Sequence, residues 1–572
     1  MRFTKLHSFQ KSIKENEVYF FNTQNAHLSN NCLKDENELL QLIHFDGSQG
    51  ILSISSKQVI LWLDQRYLEA SEKKYKESFI TTQYRDNPEN GLASYLMSLT
   101  NNKNTQIKLN LKRWNAYYVK ELGLFKKNLK LVHYERKPLI SKNRRIDIDF
   151  QMQYEHNTLK KLQLIQRNIK QKEIHFISNS EDISWILNIR ANDFPYMRSV
   201  QGKALITKHQ NIFFTTISQQ QLRTLTHSFP EWKIVNHESQ WEDLIHEIFK
   251  HLNHGELHYT FSKRPGSIDI YDLLFLKKHI NPNIDLHARD RSIIEPFRLK
   301  KTNLEIKTLN YCGQHLSKVM TESILWIQKK VDRNISITEK QIQTKIHQIA
   351  KSYGSQRACF EPIVASGPNS AFPHHIASES KKITSGELLM LDIGFYFDNH
   401  SFATDMTRTF LVGSHSTPTQ QQRLVYTTVL KAFLSQYGVK FEKDTLKAKK
   451  LDSIGRLIIK NSHLEHFSFV HSTGHGLGII DHELGITIGP ASNITLRQNY
   501  TYSIEPGVYA SQKCKNSQFG IRIEDIVCVK KMGELLCHQS FNYHPFDERL
   551  IDYSLLTNNQ RIILDHYLAS CK

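Results

Sequence analysis

The chain has 572 residues, 39% of them hydrophobic and 10% aromatic, with 75 Lys and Arg against 56 Asp and Glu for a formal charge of +19. At about 100–200 residues per domain, this length predicts three or four domains with ample core, and the composition excludes a disordered chain or a single small motif. The basic surplus is spread along the sequence without a block of like charges, so it reads as a solvated surface and not as a nucleic-acid footprint.

The opening residues contain no signal-like apolar segment, and no run of about 18 apolar residues occurs that would predict a spanning helix. Seven scattered cysteines without a C-x-x-C pair fit reduced thiols in a cytoplasmic protein better than a disulfide framework. From the start, GILSISS and QVILWL are strand-like runs after the turn cluster Asp46 to Gly50. A basic stretch from Lys126 to about Lys161 follows, and a first domain boundary is expected near 155. A second α/β pattern comes next: a helix through KKLQLIQRNIKQ, the strand IHFIS, a helix opening at SEDISWILNIR, and a strand pair in KALITKHQNIFFTTI. The expected divisions are 1–155, 156–297 and 298–572. The last begins with two long helical patterns and continues into a strand- and turn-rich region that holds the chemistry.

In LLMLDIGFYFDNHSFATDMTRTF, an apolar run leads into Asp392, and a second strand carries Asp405 with Thr407 and Thr409 on its face. Two strands joined by a turn place both carboxylates at neighbouring positions of one sheet. YTYSIEPGVY ends a strand at Glu505, and FGIRIEDIVCV puts Arg522 and Glu524 on one strand face. Between these pairs, HSTGHGLGIIDHELG presents His471, His475 and His482 among glycines. Four buried carboxylates repel one another and favour protonation unless cations neutralise them. Two divalent cations balance four such charges, so Asp392, Asp405, His475, Glu505 and Glu524 form a candidate dinuclear metal site.

GPNSAFPHH, DIGFYFDNHSFATDMTRTF, HSTGHGLG, SIEPGVY and FGIRIED resemble, in order and approximate spacing, the signature segments of the creatinase and methionine-aminopeptidase superfamily with the pita-bread fold. FDGSQGILSISSKQVILWLDQRY, ISWILNIRANDFPYMRS and the tail LIDYSLLTNNQRIILDHYL are similar to segments of the three-domain Xaa-Pro aminopeptidases, also called aminopeptidase P. The resemblance implies two creatinase-type α/β domains before a pita-bread catalytic domain. It also implies hydrolysis of an N-terminal Xaa-Pro bond by a hydroxide shared between two divalent metal ions, Mn(II) by the oxygen-rich ligation or Zn(II) by the affinity series. Asp392 then chelates one metal, Asp405 and Glu524 bridge both, and His475 and Glu505 complete the set. Glu505 serves as general acid/base, His374 stabilises charge on the carbonyl oxygen, and His471 and His482 line the proline side. Arg522 is expected to orient Glu524. Arg408 falls off the face of Asp405, open to a similar role or to a salt bridge.

Asp392 and Asp405 stand two residues further apart than the family usually has them, an insertion that keeps strand parity and fits the turn Asp398 to Ser401. The adjacent His375 is the alternative to His374. The implied partners are peptides with proline in second place and a second copy of the chain in a homodimer, with neither nucleic acid nor membrane. The alternative functions are an Xaa-Pro dipeptidase (prolidase) and a non-catalytic pita-bread protein that binds nucleic acid or protein.

Overall fold

The computed structural model describes the chain apart from residues 1–2, 25–36, 46, 48, 102–103, 122–128, 135–147, 150–157, 193, 195, 237–242, 245–253, 263–266, 398–401, 512–517 and 572. The boundary expected near 155 and the turn at Asp398 to Ser401 lie outside the described residues, as does most of the basic stretch before Lys161. The chain divides into two compact units, Met1–Glu295 and Pro296–Lys572.

The first unit contains two six-stranded sheets of one topology. The first has strands β1 (Glu17–Asn22), β2 (Ile51–Ser55), β3 (Val59–Leu63), β4 (Ile80–Tyr84), β5 (Thr105–Leu109) and β6 (Leu129–His133), in the order β4-β3-β2-β1-β5-β6. A short pair, β7 (Ile148–Asp149) with β9 (Arg190–Ala191), accompanies the second sheet. That sheet has β8 (Glu173–Ile177), β10 (Lys203–Ile206), β11 (Asn211–Thr215), β12 (Lys233–Asn236), β13 (Gly255–Thr260) and β14 (Ile284–Arg289), in the order β12-β11-β10-β8-β13-β14. In each, an antiparallel three-strand meander opens the unit and parallel strands extend both sides. The expected strands are present: the first two runs pair with Ile54 opposite Val59, and the expected strand pair sets Ala204 opposite Phe213. β1, β3, β8 and β11 are buried along their whole length, as strands covered on both faces must be. One hydrophobic cluster joins Val18, Trp62 and Ile107 of the first sheet to Phe176, Leu205 and Leu257 of the second.

In the second unit, the two long helical patterns are helices Asn303–Asp332 and Glu339–Ser352. Each opens with a capping box, Thr302 with Glu305 and Thr338 with Gln341, which satisfies backbone N–H groups that a helix start leaves unpaired. The strands are β15 (Ser355–Ala358), β16 (Ile363–Ser366), β17 (Leu388–Ile393), β18 (Phe395–Phe397), β19 (Met406–Leu411), β20 (Phe467–Ser468), β21 (Gly474–Gly476), β22 (Glu483–Ile488), β23 (Thr501–Ile504), β24 (Gly507–Ala510), β25 (Gly520–Arg522), β26 (Asp525–Met532) and β27 (Leu535–Ser540). They form the sheets β16-β17-β19, β22-β21-β23-β26-β27 and β20-β24-β25, with β15 paired to β18. The core behind them joins Val425, Leu430 and Phe433 of helix Gln420–Tyr437 to Ile486, Tyr502, Ile521 and Val527 of the strands and Leu564 of the last helix. Among the described residues, no helix is long and apolar enough to cross a membrane.

Buried histidines make the stability of this unit depend on pH. His538 Nε2 pairs with the Tyr502 hydroxyl at 2.7 Å and its Nδ1 with the Tyr437 carbonyl at 2.9 Å. Burial pushes its pKa down from 6.5 to about 4, so the folded state favours the neutral ring. A group depressed in this way contributes stability that is present above its unfolded pKa and lost as pH falls toward its folded pKa. Urea unfolding from about pH 7.5 to about pH 5 should therefore cost the natural chain about 2 kcal/mol more than His538→Gln. Parallel pH dependences of the two proteins would contradict this.

Candidate active site

The antiparallel ladder of β17 and β19 sets Asp392 opposite Thr407 and Ile393 opposite Met406. Asp405 thus stands one residue before β19, at the mouth of the ladder and not within the second strand as the alternation predicts. Glu505 follows β23, whose last residue Ile504 faces Asp525. Glu524 is fixed by a bridge to Thr407: its N–H donates to the Thr407 carbonyl at 3.1 Å, and the Thr407 hydroxyl donates to its Oε2 at 2.8 Å. β21 brings in His475. A Cβ at Gly474 would lie 2.0 Å from the Ser503 carbonyl oxygen, so glycine is what lets β21 close on β23.

These elements converge on one imidazole. His475 Nε2 lies 3.4 Å from Asp405 Oδ2, 3.4 Å from Glu505 Oε1 and 3.9 Å from Glu524 Oε1. Its Nδ1 faces the Gly476 carbonyl at 3.1 Å, which holds that N–H and aims the Nε2 lone pair at the carboxylates. Asp392, Asp405 and Glu524 are buried. Burial, followed by neighbouring acids, raises the pKa of Asp405 and of Glu524. Burial also raises Glu505, against the pull of His475 and Arg522. Burial opposes protonation of His475, yet the Asp481, Glu505 and Glu524 carboxylates lift its pKa to about 9.

The donor chemistry fits divalent cations. Asp392 Oδ1, Asp405 Oδ1 and Glu524 Oε1 are buried oxygens without a hydrogen-bond partner, a costly arrangement for carboxylates unless something positive faces them. One ligand atom from each of Asp405, His475 and Glu524 lies within 4.8 Å of the others.

The surrounding shell differs from expectation in two places. Arg522 does not pair with Glu524; its Nη2 donates to Asp392 Oδ2 and its Nε to the Thr407 hydroxyl at 3.1 Å. The reason is that Thr407 stands between them and supplies the donor to Glu524 instead. Asp481, which carries no motif signal, is buried beside Asp405. His482 is exposed, bonds Asp481 Oδ2 through Nδ1 at 2.7 Å, and stacks on His475 with ring centres 3.8 Å apart.

His471 accepts at Nε2 from the Tyr509 hydroxyl at 2.8 Å, and Arg522 Nη1 donates to the same hydroxyl at 2.7 Å. Tyr509 is the last residue of the SIEPGVY segment, but alternation alone does not reveal its contact with both residues. His375 is committed elsewhere: its Nε2 bonds Glu339 Oε2 at 2.7 Å, and that carboxylate also accepts from Ser366, Asn369 and Ser378. His374 is exposed on the same turn, and the preceding Pro373 carbonyl accepts from Arg522 at 3.3 Å. Arg408 points away from this centre and makes a fully buried ion pair with Asp525 at 2.8 Å.

Residues 307–531 match the model of metallopeptidase family M24, and residues 136–305 match that of the creatinase/prolidase N-terminal domain. Over residues 307–531 the chain is similar to the M24 metallopeptidases. An Xaa-Pro dipeptidase of Pyrococcus furiosus is 33% identical over 251 residues, 44% of this chain and 66% of that protein, so the chain covers just under two thirds of that relative. Human Xaa-Pro aminopeptidase 2 is 23% identical over 596 residues, 97% of this chain and 82% of that one. The crystal structure of an X-prolyl aminopeptidase from Caenorhabditis elegans, described as a cytosolic enzyme with a di-nuclear active site, superposes with a TM-score of 0.85 at 20% identity, covering 100% of this chain and 95% of that one. The M24 fold here is thus preceded by creatinase-type α/β sheets, as the sequence predicts.

Proposed function

We propose that this chain is an M24-type, metal-dependent aminopeptidase that removes the first residue from peptides with proline in second place. The metal-dependent part rests on one observation: the buried, unpartnered oxygens of Asp392, Asp405 and Glu524 around His475. The substrate class is supported by the aminopeptidase relatives that align with nearly the whole chain.

A bond to proline is a tertiary amide without N–H, so a peptidase that reads that hydrogen loses a contact. Asp392, Asp405, His475, Glu505 and Glu524 would hold two divalent cations, which would supply the Lewis acidity to acidify a water and polarise the scissile carbonyl. Glu505, which accepts from the Ser503 hydroxyl at 3.1 Å and has a raised pKa, takes the water proton and delivers it to the proline nitrogen. His374 stabilises the developing charge on the carbonyl oxygen. His471, held by Tyr509, and His482 line the proline side. Arg522 clamps Asp392 in place. The oxygen-rich donor set suits Mn(II), with Zn(II) favoured by intrinsic affinity. A homodimer in the cytoplasm belongs to the same reading, and the free thiols of Cys359 and Cys528 support a reducing compartment.

The Pyrococcus likeness favours a second reading, a dipeptidase that cleaves only Xaa-Pro. The two separate on paired substrates. An Xaa-Pro-Xaa tripeptide should be cleaved with a kcat/KM at least about 10-fold above that of the Xaa-Pro dipeptide, a difference of about 1.4 kcal/mol in transition-state binding. A preference of that size for the dipeptide would overturn the aminopeptidase reading.

A further inference from the structure

The second sheet of the first unit carries a repeated tripeptide in register. Glu173-Ile174-His175 on β8, Glu256-Leu257-His258 on β13 and Asp285-Leu286-His287 on β14 stand side by side on parallel strands. Glu256 faces both Glu173 and Asp285, and His258 faces both His175 and His287. Because residues two apart share a sheet face, three acids and three imidazoles form adjacent rows on one side. The imidazoles stack, His175 on His258 with centres 4.8 Å apart and His258 on His287 at 5.0 Å.

We propose that Glu173, His175, Glu256 and His258 form a second metal site, specific for a nitrogen- and oxygen-seeking divalent cation of the Zn(II) class and separate from the catalytic centre. One ligand atom each from Glu173, His175 and His258 lies within 4.8 Å of the others, and all three residues are buried. His258 Nε2 is 3.7 Å from Glu173 Oε1 and 3.0 Å from Glu256 Oε2, and His175 Nε2 is 3.7 Å from Glu173 Oε2. Ligands bonded to zinc at about 2.0–2.1 Å in a tetrahedron stand about 3.3–3.4 Å apart, within the span these atoms already show.

A second observation points to a ligand. His175 is 9% exposed, yet its Nε2 is buried without a hydrogen-bond partner, because the nearest carboxylate oxygen is beyond bonding distance. Two neutral imidazoles and two carboxylates also balance a +2 ion, so a cation there leaves no net buried charge. Burial, with His258 beside it, pushes the His175 pKa down to about 4, so a proton does not compete for this nitrogen at neutral pH. Glu256 and His287 are partly exposed and open the site to solvent.

Two contacts must yield. Arg289 Nε donates to His258 Nδ1 at 2.8 Å, which keeps the His258 proton on Nε2, facing Glu256. Cation uptake moves that proton to Nδ1, and the exposed Arg289 side chain turns away. Lys170 Nζ, 3.4 Å from Glu173 Oε1 on a side chain that is 80% exposed, does the same, while the Lys170 N–H remains on Glu173 Oε2 at 2.9 Å.

The test is a zinc count. Full-length protein is stripped by chelation, reloaded with Zn(II) and freed of excess by gel filtration. The natural chain should retain one more equivalent than Glu173→Gln or His258→Gln, and Arg289→Gln should hold that equivalent at least about 10-fold more tightly. Equal zinc in the natural chain and both ligand variants overturns the proposal, as does unchanged affinity in Arg289→Gln. A measurement independent of how the variants fold uses crystals of the natural chain soaked in Zn(II). Anomalous density between Glu173, His175 and His258 is expected, and its absence overturns the site.

Discussion

Replacing Glu505 with alanine is expected to lower kcat/KM for an Xaa-Pro-Xaa peptide by at least about 10³-fold with divalent metal supplied. General acid/base catalysis alone accounts for about 10²–10⁴ in rate, and in this chain the same carboxylate also belongs to the proposed metal set. Glu505 is positioned for this double duty. Its Oε1 lies 3.4 Å from His475 Nε2, its Oε2 lies 3.8 Å from His471 Nδ1, and only the Ser503 hydroxyl, at 3.1 Å, ties it to its own strand. Burial raises its pKa, so the step between its two protonation states is brought closer to neutral pH than for an exposed glutamate. The loss should fall on kcat, with thermal unfolding of the metal-free protein little changed. Turnover within about threefold of the natural chain would remove Glu505 from the reaction.

Arg408→Met should act on the fold. The Arg408 guanidinium is fully buried and donates to the Glu524 carbonyl at 2.7 Å, the Thr407 carbonyl at 2.9 Å, the His544 carbonyl at 2.9 Å, Asp525 Oδ1 at 2.8 Å and the Tyr567 hydroxyl at 2.8 Å. Tyr567, from the C-terminal helix Asn558–Ala569, in turn donates to Asp525 Oδ2 at 2.6 Å. Removing the cation leaves the Asp525 carboxylate buried without its partner and several carbonyls short of a donor. Breaking one half of a buried pair costs about 3–5 kcal/mol. For a unit of this size that lowers Tm by on the order of 10 °C, measured by thermal unfolding. Activity should fall with it, since Glu524 and Thr407 are the backbone Arg408 grips. An unchanged Tm would contradict the network.

This network also shows what could be read from the sequence and what could not. Asp392, Asp405, Glu505 and Glu524 were legible because each ends or borders an apolar strand run, where an acid is expensive unless it has a purpose. The long helices were legible from apolar periodicity and their Thr caps. Arg522 was visible as a neighbour of Glu524, but its actual partner, Asp392, lies 130 positions away on another sheet, and only the closed fold reveals that Thr407 separates the two. Asp481 and Tyr509 lie inside the segments HSTGHGLGIIDHELG and SIEPGVY, but nothing in the spacing singles them out, because their contacts with Asp405, His471 and Arg522 form only in the closed fold. His374 and His375 could not be separated by spacing, since what distinguishes them is Glu339 on a distant helix, which claims His375. The three acid-x-His tripeptides were visible as text. Their register was not, because β8, β13 and β14 become neighbours only through the crossover topology.

The duplicated sheets of the first unit carry the same lesson. Two α/β patterns are readable from strand runs and turn clusters, whereas a shared order of β4-β3-β2-β1-β5-β6 and β12-β11-β10-β8-β13-β14 depends on pairings between strands far apart in sequence.

On the proposed function, the four clustered acids and His475 hold divalent cations that the chain uses to cut before proline. Stripping the full-length protein of metal and assaying an Xaa-Pro-Xaa peptide before and after Mn(II) is restored tests it most directly. Hydrolysis should fall by at least about 10²-fold on stripping and return with the metal. Full activity in protein shown by elemental analysis to be metal-free would contradict it.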